Sequence, residues 1–195
     1  MDAPQTCGKE KIAYRSRIIE IVKQPVRIGN KKVEFEFARR PPGVRLLLIK
    51  KGKVLLTKEF RVEHGTYDYR LPGGKVFDSI GDYHAAMKKS DNILKYATAA
   101  AKKECVEETG LKLQSIKHIY TSKAGATVIW DLFYFLVPKF TEGKQKLEEG
   151  EIIHPKWMPF SAAIKMCLNG SIHEDRSAAV LLRFLSKKSA QIRKS

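Results

Sequence analysis

Alternating apolar and polar residues dominate the first third of the chain. Residues 12–22 and 32–39 alternate in this way on either side of the turn-like sequence Ile28-Gly29-Asn30. A period of two residues places one face of a strand against a core, so these segments predict an antiparallel pair. Two apolar runs follow, at 44–49 and 54–60, and the Lys-Lys-Gly-Lys sequence between them is typical of a hairpin connection.

The central part of the chain changes to helical spacing. Residues 82–89 predict a short helix, and residues 92–109 predict a longer one with Asp91 as N-cap and Gly110 just beyond its end. The remaining pattern predicts strands at 67–71, 113–120, 127–137 and 152–158, then a helix at 161–168 capped by Ser161 and a last helix at 173–186. Strands mixed with helices in this order indicate an α+β fold, with a mixed sheet covered by helices.

Composition limits the class of protein. The chain has 195 residues, of which 43% are hydrophobic, so it can bury one core, with or without an additional arm. Its three cysteines show no Cys-x-x-Cys pair, which argues against a disulfide scaffold or a zinc site and favours a reducing compartment. No signal pattern opens the sequence, and the longest apolar stretch is too short to span a bilayer. We therefore expect a soluble, cytoplasmic protein without a membrane partner.

The net charge of +16 is distributed unevenly. Residues 1–61 and 183–195 carry the excess of lysine and arginine, whereas residues 62–182 are nearly neutral. Two interpretations stay open: attraction of polyanions such as nucleic acid or phosphorylated ligands, and an ordinary solvated surface with a basic tail. Aromatic residues do not alternate with the basic ones in the tail, which favours the second interpretation there.

Three glutamates form the strongest chemical signal. Glu104, Glu107 and Glu108 have the spacing that places side chains on one helix face, and they lie just before Gly110. Like charges this close repel one another, and the helix dipole disfavours anions at this end. A bound divalent cation would offset both of these unfavourable interactions. The sequence Leu71-Pro72-Gly73-Gly74 lies upstream and predicts a loop that can approach such a site closely.

Together, these two segments resemble the signature of the Nudix hydrolase family. Its second half runs Arg-Glu, an apolar residue, any residue, Glu-Glu, any residue, Gly and an apolar residue. Residues 103–111 match it, with Lys103 in place of the arginine and Cys105 in the apolar position. The loop at 71–74 looks like the one that opens the same signature.

The match departs from the family pattern in two places. About fifteen extra residues separate Gly74 from the acidic stripe, most simply as an insertion within 78–94, and the first signature glutamate has no counterpart. The family arginine holds a neighbouring glutamate with a planar fork, whereas Lys103 offers a point charge. We therefore expect Lys103 to keep the charge pairing with a glutamate but to orient that glutamate less strictly.

The resemblance implies an α/β/α sandwich with an N-terminal antiparallel β arm. We accordingly predict an arm at 1–42, a Nudix domain at 43–186 and a basic tail at 187–195. It also implies a Mg²⁺ site, with Mn²⁺ as an alternative ion, whose ligands are Glu104, Glu107, Glu108 and the Gly73 carbonyl. The same three glutamates are the predicted catalytic residues, together with Glu149 and Glu151 as candidates for the general base.

The layout of the whole chain resembles the branch of the family that hydrolyses ADP-ribose and ADP-sugars. This branch implies a small nucleoside diphosphate derivative as substrate and a homodimer formed through the arm. Arg61 and Arg40 are the predicted contacts to the substrate phosphates, since arginine forks suit phosphate oxygens. Arg70 stands where the branch often has a glutamate, and we expect it to favour a more phosphorylated substrate.

Two other functions stay open at this stage. The insertion, the missing first glutamate and the basic arm also suit a non-catalytic Nudix-fold module that binds RNA or a protein. A decapping-type hydrolase that acts on RNA ends would combine catalysis with nucleic-acid binding, and its binding should weaken steeply with salt. The retained acidic stripe favours the pyrophosphohydrolase.

Overall fold

The computed structural model describes residues 3–192 of the chain. Its strands are β1 (Gln5–Thr6), β2 (Lys11–Arg15), β3 (Glu20–Ile28), β4 (Lys31–Arg39), β5 (Gly43–Lys50), β6 (Lys53–Arg61), β7 (Thr66–Arg70), β8 (Leu111–Gly125), β9 (Val128–Glu142) and β10 (Ile153–Pro159). Its helices are α1 (Ile80–Lys89), α2 (Ile93–Thr109), α3 (Phe160–Leu168) and α4 (Asp175–Ile192). The ends of the predicted arm and tail, at 1–2 and 193–195, lie outside the described residues.

Strand β9 is the centre of the sheet. It pairs antiparallel with β8 on one side, and on the other it runs parallel to β5, with Leu46 opposite Phe135. The β3–β4 hairpin joins the same sheet, since Ala38 of β4 lies opposite Val128 of β9. Strand β6 meets β5 at their hairpin and pairs antiparallel with both β7 and β10. The predicted mixed sheet is therefore confirmed.

The core lies on both faces of β5 and β9, because successive side chains of a strand point to opposite sides. On one face, Leu46 and Phe135 belong to a buried cluster with Ala101 of α2. On the other face, Leu47 and Tyr134 pack in a cluster with residues of α4. Helices cover both faces of the sheet, which confirms the predicted α/β/α arrangement.

Four local predictions need correction. The segment 12–22 is not one strand, because Ser16 accepts a hydrogen bond from the Ile19 amide at 3.2 Å and the chain turns there between β2 and β3. The N-cap of α2 is Asn92, whose side chain accepts from the Lys95 amide, so Asp91 is not the cap. Helix α3 starts one residue after Pro159 without a side-chain cap, so Ser161 lies inside it.

The last correction concerns α4. It starts at Asp175 and continues to Ile192, well past the predicted end at 186, because the chain offers no proline or glycine there to stop it. Among the described residues, no helix combines the length and the apolar character needed to cross a membrane.

The inserted segment forms α1, which begins at Ile80 with Ser79 as its N-cap. His84 of α1 lies 2.8 Å from the carboxylate of Glu20, which is fully buried at the start of β3. The Ile80 amide also donates to the Arg17 carbonyl at 2.8 Å. The insertion is therefore attached to the N-terminal arm.

Candidate active site

A cavity of about 300 Å³ opens where the loop after β7 meets α2. Part of its wall is formed by the start of β5 and by the side chains of Trp130 and Leu132. Charged side chains dominate the rest of its lining: Arg40, Arg45, Arg61, Arg70, Lys75, Glu59, Glu104, Glu107, Glu108, Glu148 and Glu151. Acidic and cationic groups in one concave site suit a charged ligand with a bound cation.

Glu108 is held directly by the glycine loop. The Gly73 amide donates a hydrogen bond of 2.7 Å to its carboxylate, which is almost completely buried. Gly73 has a φ of 137°, and a Cβ there would lie 2.2 Å from the Val44 carbonyl oxygen. Only glycine fits this conformation and this close approach. The loop therefore supplies a fixed hydrogen-bond donor for Glu108.

Glu104 lies against the neighbouring glycine. A Cβ on Gly74 would be 2.3 Å from one carboxylate oxygen of Glu104, so the absence of a side chain makes room for this group. Burial, together with the nearby Glu107 charge, raises the pKa of Glu104 to about 7. Burial raises the pKa of Glu108 to about 8, although the Gly73 hydrogen bond works in the opposite direction.

The third glutamate of the stripe points elsewhere. Glu107 forms an ion pair of 3.3 Å with Lys103, which also lies 3.7 Å from Glu148. Lys103 thus keeps the charge pairing expected of it. Glu107 is therefore paired with a lysine, unlike Glu104 and Glu108, although all three line the cavity.

The donor atoms fit a hard divalent cation with few protein ligands. Among the described residues, no three histidine, cysteine or carboxylate side chains converge into a closed metal site. Glu104 and Glu108 present oxygen atoms only, and Mg²⁺ commonly takes one or two carboxylates while substrate oxygens and water complete its shell. The Gly73 carbonyl, predicted as a ligand, already accepts a hydrogen bond of 2.8 Å from Arg45.

The acidic loop between β9 and β10 contributes Glu148 and Glu151 to the cavity. The Glu151 carboxylate accepts a hydrogen bond of 3.0 Å from the Glu148 amide. Glu149, the other predicted general base, is exposed and is not among the lining residues, whereas Glu148 was missed. Gln145 attaches this loop to α2, because its amide nitrogen donates to the Glu108 carbonyl at 2.6 Å.

Two of the predicted substrate arginines are neutralised by acids. Arg61 pairs with Glu59 at 2.9 Å and with Glu63 at 2.7 Å. Arg70 donates to Asp68, a fully buried carboxylate, at 2.7 Å. The Arg70 guanidinium is thus held by a buried carboxylate at the cavity wall, and its contact with a more phosphorylated substrate stays a prediction.

Arg45 is the main site residue that the sequence analysis missed. Its guanidinium is buried, and it donates to Glu174 at 3.0 Å as well as to the Gly73 carbonyl. Burial opposes ionisation of Glu174, but Arg45 and a hydrogen bond from Ser177 outweigh it and lower the pKa of this carboxyl. Arg45 therefore joins β5 to the residue just before α4 and to the glycine loop. Its position inside the apolar run 44–49 was the available signal.

The pKa of Glu108 predicts an unusual pH dependence of stability. The ordinary value is 4.5 and the folded value is about 8, so the folded protein binds this proton more tightly than the unfolded chain does. Raising the pH between these values therefore favours unfolding, by on the order of 3 kcal/mol at neutral pH. Urea unfolding in EDTA at pH 5 and pH 8 measures the effect. Glu108→Gln should reduce the loss of stability towards pH 8, and an unchanged loss would contradict the assignment.

Comparison with known proteins agrees with this geometry. The model of the NUDIX domain family matches residues 39–180. ADP-ribose pyrophosphatase from Bacillus subtilis (strain 168) is 24% identical over 195 residues, which cover 97% of each chain. GDP-mannose pyrophosphatase from Enterobacter sp. (strain 638) is 28% identical over 155 residues, covering 75% of this chain and 74% of the relative.

A solved structure shares the fold. It is described as an ADP compounds hydrolase, has a TM-score of 0.73 at 16% identity, and the alignment covers 99% of this chain and 97% of that one. The family model spans most of the chain, including β5, the glycine loop, α2 and the start of α4. The chain belongs to the NUDIX domain family.

Proposed function

We propose that the protein hydrolyses the pyrophosphate bond of a nucleoside diphosphate linked to a second group, with ADP-ribose or an ADP-sugar as the favoured substrate. One observation carries the proposal: the buried carboxylate of Glu108 and the half-buried carboxylate of Glu104 lie against Gly73 and Gly74 in a cavity whose other wall carries arginines. The names of the relatives, ADP-ribose pyrophosphatase and GDP-mannose pyrophosphatase, support this reaction class.

Glu104 and Glu108 are the proposed holders of the divalent cation, Mg²⁺ or Mn²⁺. When bound, the cation supplies charge neutralisation of the diphosphate and a water molecule of lowered pKa. Gly73 keeps Glu108 in place through its amide, and Glu107 remains a candidate ligand at the cavity edge. The Gly73 carbonyl, which the sequence predicted as a further ligand, already accepts a hydrogen bond from Arg45.

Other side chains of the cavity are proposed to orient the substrate and to transfer protons. Arg61 and Arg70 line the cavity and orient phosphate or ribose oxygens, with their geometry fixed by Glu63 and Asp68. Glu151 is the best-placed candidate for the general base because it lines the cavity on a loop attached to α2. Glu148 is the alternative within the same loop, and Glu149 would need the loop to rearrange.

A substrate panel tests the proposed activity. With Mg²⁺, we expect products cleaved between the two phosphates from ADP-ribose, ADP-glucose or GDP-mannose, and almost no turnover in EDTA. Capped RNA and nucleoside triphosphates serve as the competing substrates, and chromatography of the products identifies the bond that breaks. Efficient turnover of capped RNA alone would favour a decapping-type hydrolase, and no metal-dependent hydrolysis at all would favour a binding module.

We also propose a homodimer that forms through the N-terminal arm, in a cytoplasmic protein. Large apolar side chains of β2 and β4 remain exposed in the single chain, among them Ile12, Tyr14 and Phe35. Exposed apolar surface of this kind commonly marks a protein interface. The three free cysteines suit a reducing compartment.

A further inference from the structure

A second cavity, here called the side cavity, adjoins the candidate active site and has a volume of about 310 Å³. It lies between the segment 75–78, which follows the glycine loop, and one face of α2. Lys75, Glu104 and Glu148 line both cavities, so the two spaces meet beside the carboxylate of Glu104. A group bonded to a diphosphate near Glu104 therefore has room to extend into the side cavity.

Helix α2 gives the side cavity a floor of small and aromatic side chains. Its lining residues share one helix face, as their spacing requires: Tyr96, Ala99, Ala100, Lys103 and Glu104. Eight residues separate Tyr96 from Glu104, which corresponds to about 12 Å along the helix axis. Ala99 and Ala100 lie in this interval, and because each side chain is a single methyl group, the space above them stays open. The floor thus leads from the proposed cation site to an aromatic ring.

Phe77 supplies an aromatic wall that meets this floor. Its ring lies 5.3 Å from the ring of Tyr96, measured between centroids, with an angle of 50° between the two planes. Tyr83 of α1 packs against the same Phe77 ring at 5.6 Å. Phe77 and Tyr96 both remain partly exposed and line the side cavity, so each ring keeps surface that a ligand can contact. The inserted helix α1 therefore supports the position of this wall.

The charged residues of the side cavity do not favour a further anion. Lys75 lies 3.4 Å from Asp78, and Lys103 lies 3.7 Å from Glu148. Each lysine that lines the side cavity is thus paired with an acid that lines it as well. The electrostatics of the lining suit an uncharged part of the substrate.

The remaining lining distinguishes a nucleobase from a sugar. A buried sugar needs a hydrogen-bond partner for each hydroxyl group, and the methyl groups and ring faces between Tyr96 and Glu104 offer poor partners. A nucleobase is planar and uncharged, and it stacks well on aromatic side chains. The side cavity therefore fits a base better than it fits a sugar or a phosphate.

We infer that the side cavity is the subsite for the base of the nucleoside diphosphate, which stacks on Tyr96 and Phe77. The inference rests on the proposed function and agrees with an ADP-linked substrate, whose adenine would occupy the side cavity. It also assigns a role to the insertion, because α1 holds Phe77 in place through Tyr83.

AMP and ribose 5-phosphate test the subsite without turnover. Both contain the ribose and one phosphate, neither contains a pyrophosphate bond, and only AMP contains a base. Calorimetry of the full chain with Mg²⁺ compares their affinities. The wild-type protein should bind AMP about tenfold more tightly, as expected for one stacked base. Tyr96→Leu should reduce this preference to about twofold or less, whereas Tyr96→Phe keeps the ring and should retain most of it.

A second variant fills the side cavity from an exposed helix position. Ala99 lines the side cavity and is exposed on α2, and leucine is a good helix former, so Ala99→Leu should fold normally. It should also reduce the preference for AMP to about twofold or less. Tyr120→Leu is the matched control, because it removes an exposed tyrosine of β8 that lies outside both cavities. It should leave the preference unchanged.

Three results would overturn the inference. Equal affinities of the wild-type protein for AMP and ribose 5-phosphate would show that the base is not recognised. A preference that survives in Tyr96→Leu or in Ala99→Leu would place the base elsewhere. A loss of affinity that is equal for both ligands in Tyr96→Leu would place the ribose phosphate, and not the base, at this ring.

Hydrolysis of ADP-ribose keeps the two proposals distinct. Tyr96→Leu should raise KM about tenfold and change kcat much less, because the base lies away from the bond that breaks. A protein that prefers AMP through Tyr96 but hydrolyses no nucleotide would retain the base subsite and refute the proposed reaction. Hydrolysis of ADP-ribose with the same KM in Tyr96→Leu as in the wild type would support the reaction and refute the subsite.

Discussion

Replacing Glu108 by glutamine should lower kcat/KM about a thousandfold or more, while the protein remains folded. The glutamine keeps the size of the side chain and can still accept a hydrogen bond from the Gly73 amide, but it loses the negative charge that holds a cation. Loss of a metal that stabilises the developing charge is worth several kcal/mol of activation free energy. Steady-state kinetics at saturating Mg²⁺ measure this effect.

The control for this experiment is Glu142→Gln, which removes a carboxylate at the exposed end of β9. Its kcat/KM should stay within about twofold of the wild-type value, as expected for an exposed residue that lies outside the cavity. Because the pKa of Glu108 is raised to about 8 by burial, Glu108→Gln should also be at least as stable as the wild-type protein at pH 8 in EDTA. Circular dichroism must first show that the variant is folded, because an unfolded variant is inactive for any reason. A folded Glu108→Gln variant with full activity would refute the role of Glu108.

Replacing Arg45 by methionine should destabilise the protein by about 3–5 kcal/mol, the largest stability effect that we expect from a single charged residue. The change takes away the guanidinium that lies 3.0 Å from the largely buried carboxylate of Glu174. One oxygen of this carboxylate already has no hydrogen-bond partner among the described residues. It also removes the donor to the Gly73 carbonyl, so the loop that supports Glu108 should loosen. Urea unfolding at pH 7 measures the loss.

A double variant separates the ion pair from simple packing. Arg45→Met combined with Glu174→Gln should recover more than half of the lost stability, because no uncompensated carboxylate remains in the core. Arg17→Met, at an exposed arginine of the turn before β3, should change stability by less than about 0.5 kcal/mol. If the double variant were as unstable as Arg45→Met alone, the buried charge would not be the cause.

The sequence predicted the fold well because its signals are local. The alternation in β3 and β4, the apolar runs of β5 and β6 and the end of α2 at Gly110 follow from side-chain periodicity and capping, which act within a few residues. The short turn at Ser16 was missed because the apolar pattern continues through it, and the hydrogen bond that forms it depends on one hydroxyl group.

The sequence predicted those parts of the site whose residues lie close together along the chain. Glu104 and Glu108 are four residues apart on one helix, so their shared face follows from helical geometry. The ion pair between Arg45 and Glu174 joins residues 129 positions apart, and no local pattern indicates it. The same holds for Arg40 and Trp130, whose contact depends on how β4 and β9 pair. The pairing of Arg61 and Arg70 with acids is likewise a property of the folded chain.

The proposed reaction requires a divalent cation that Glu104 and Glu108 would hold beside the glycine loop. Electron paramagnetic resonance of Mn²⁺, titrated into the wild-type protein and into Glu104→Gln, Glu108→Gln and Glu142→Gln, measures this binding directly. We expect bound Mn²⁺ that Mg²⁺ displaces in the wild-type protein and in Glu142→Gln, and affinity reduced at least tenfold in the other two variants. Equal Mn²⁺ affinity in all four proteins, or none in the wild type, would contradict the account.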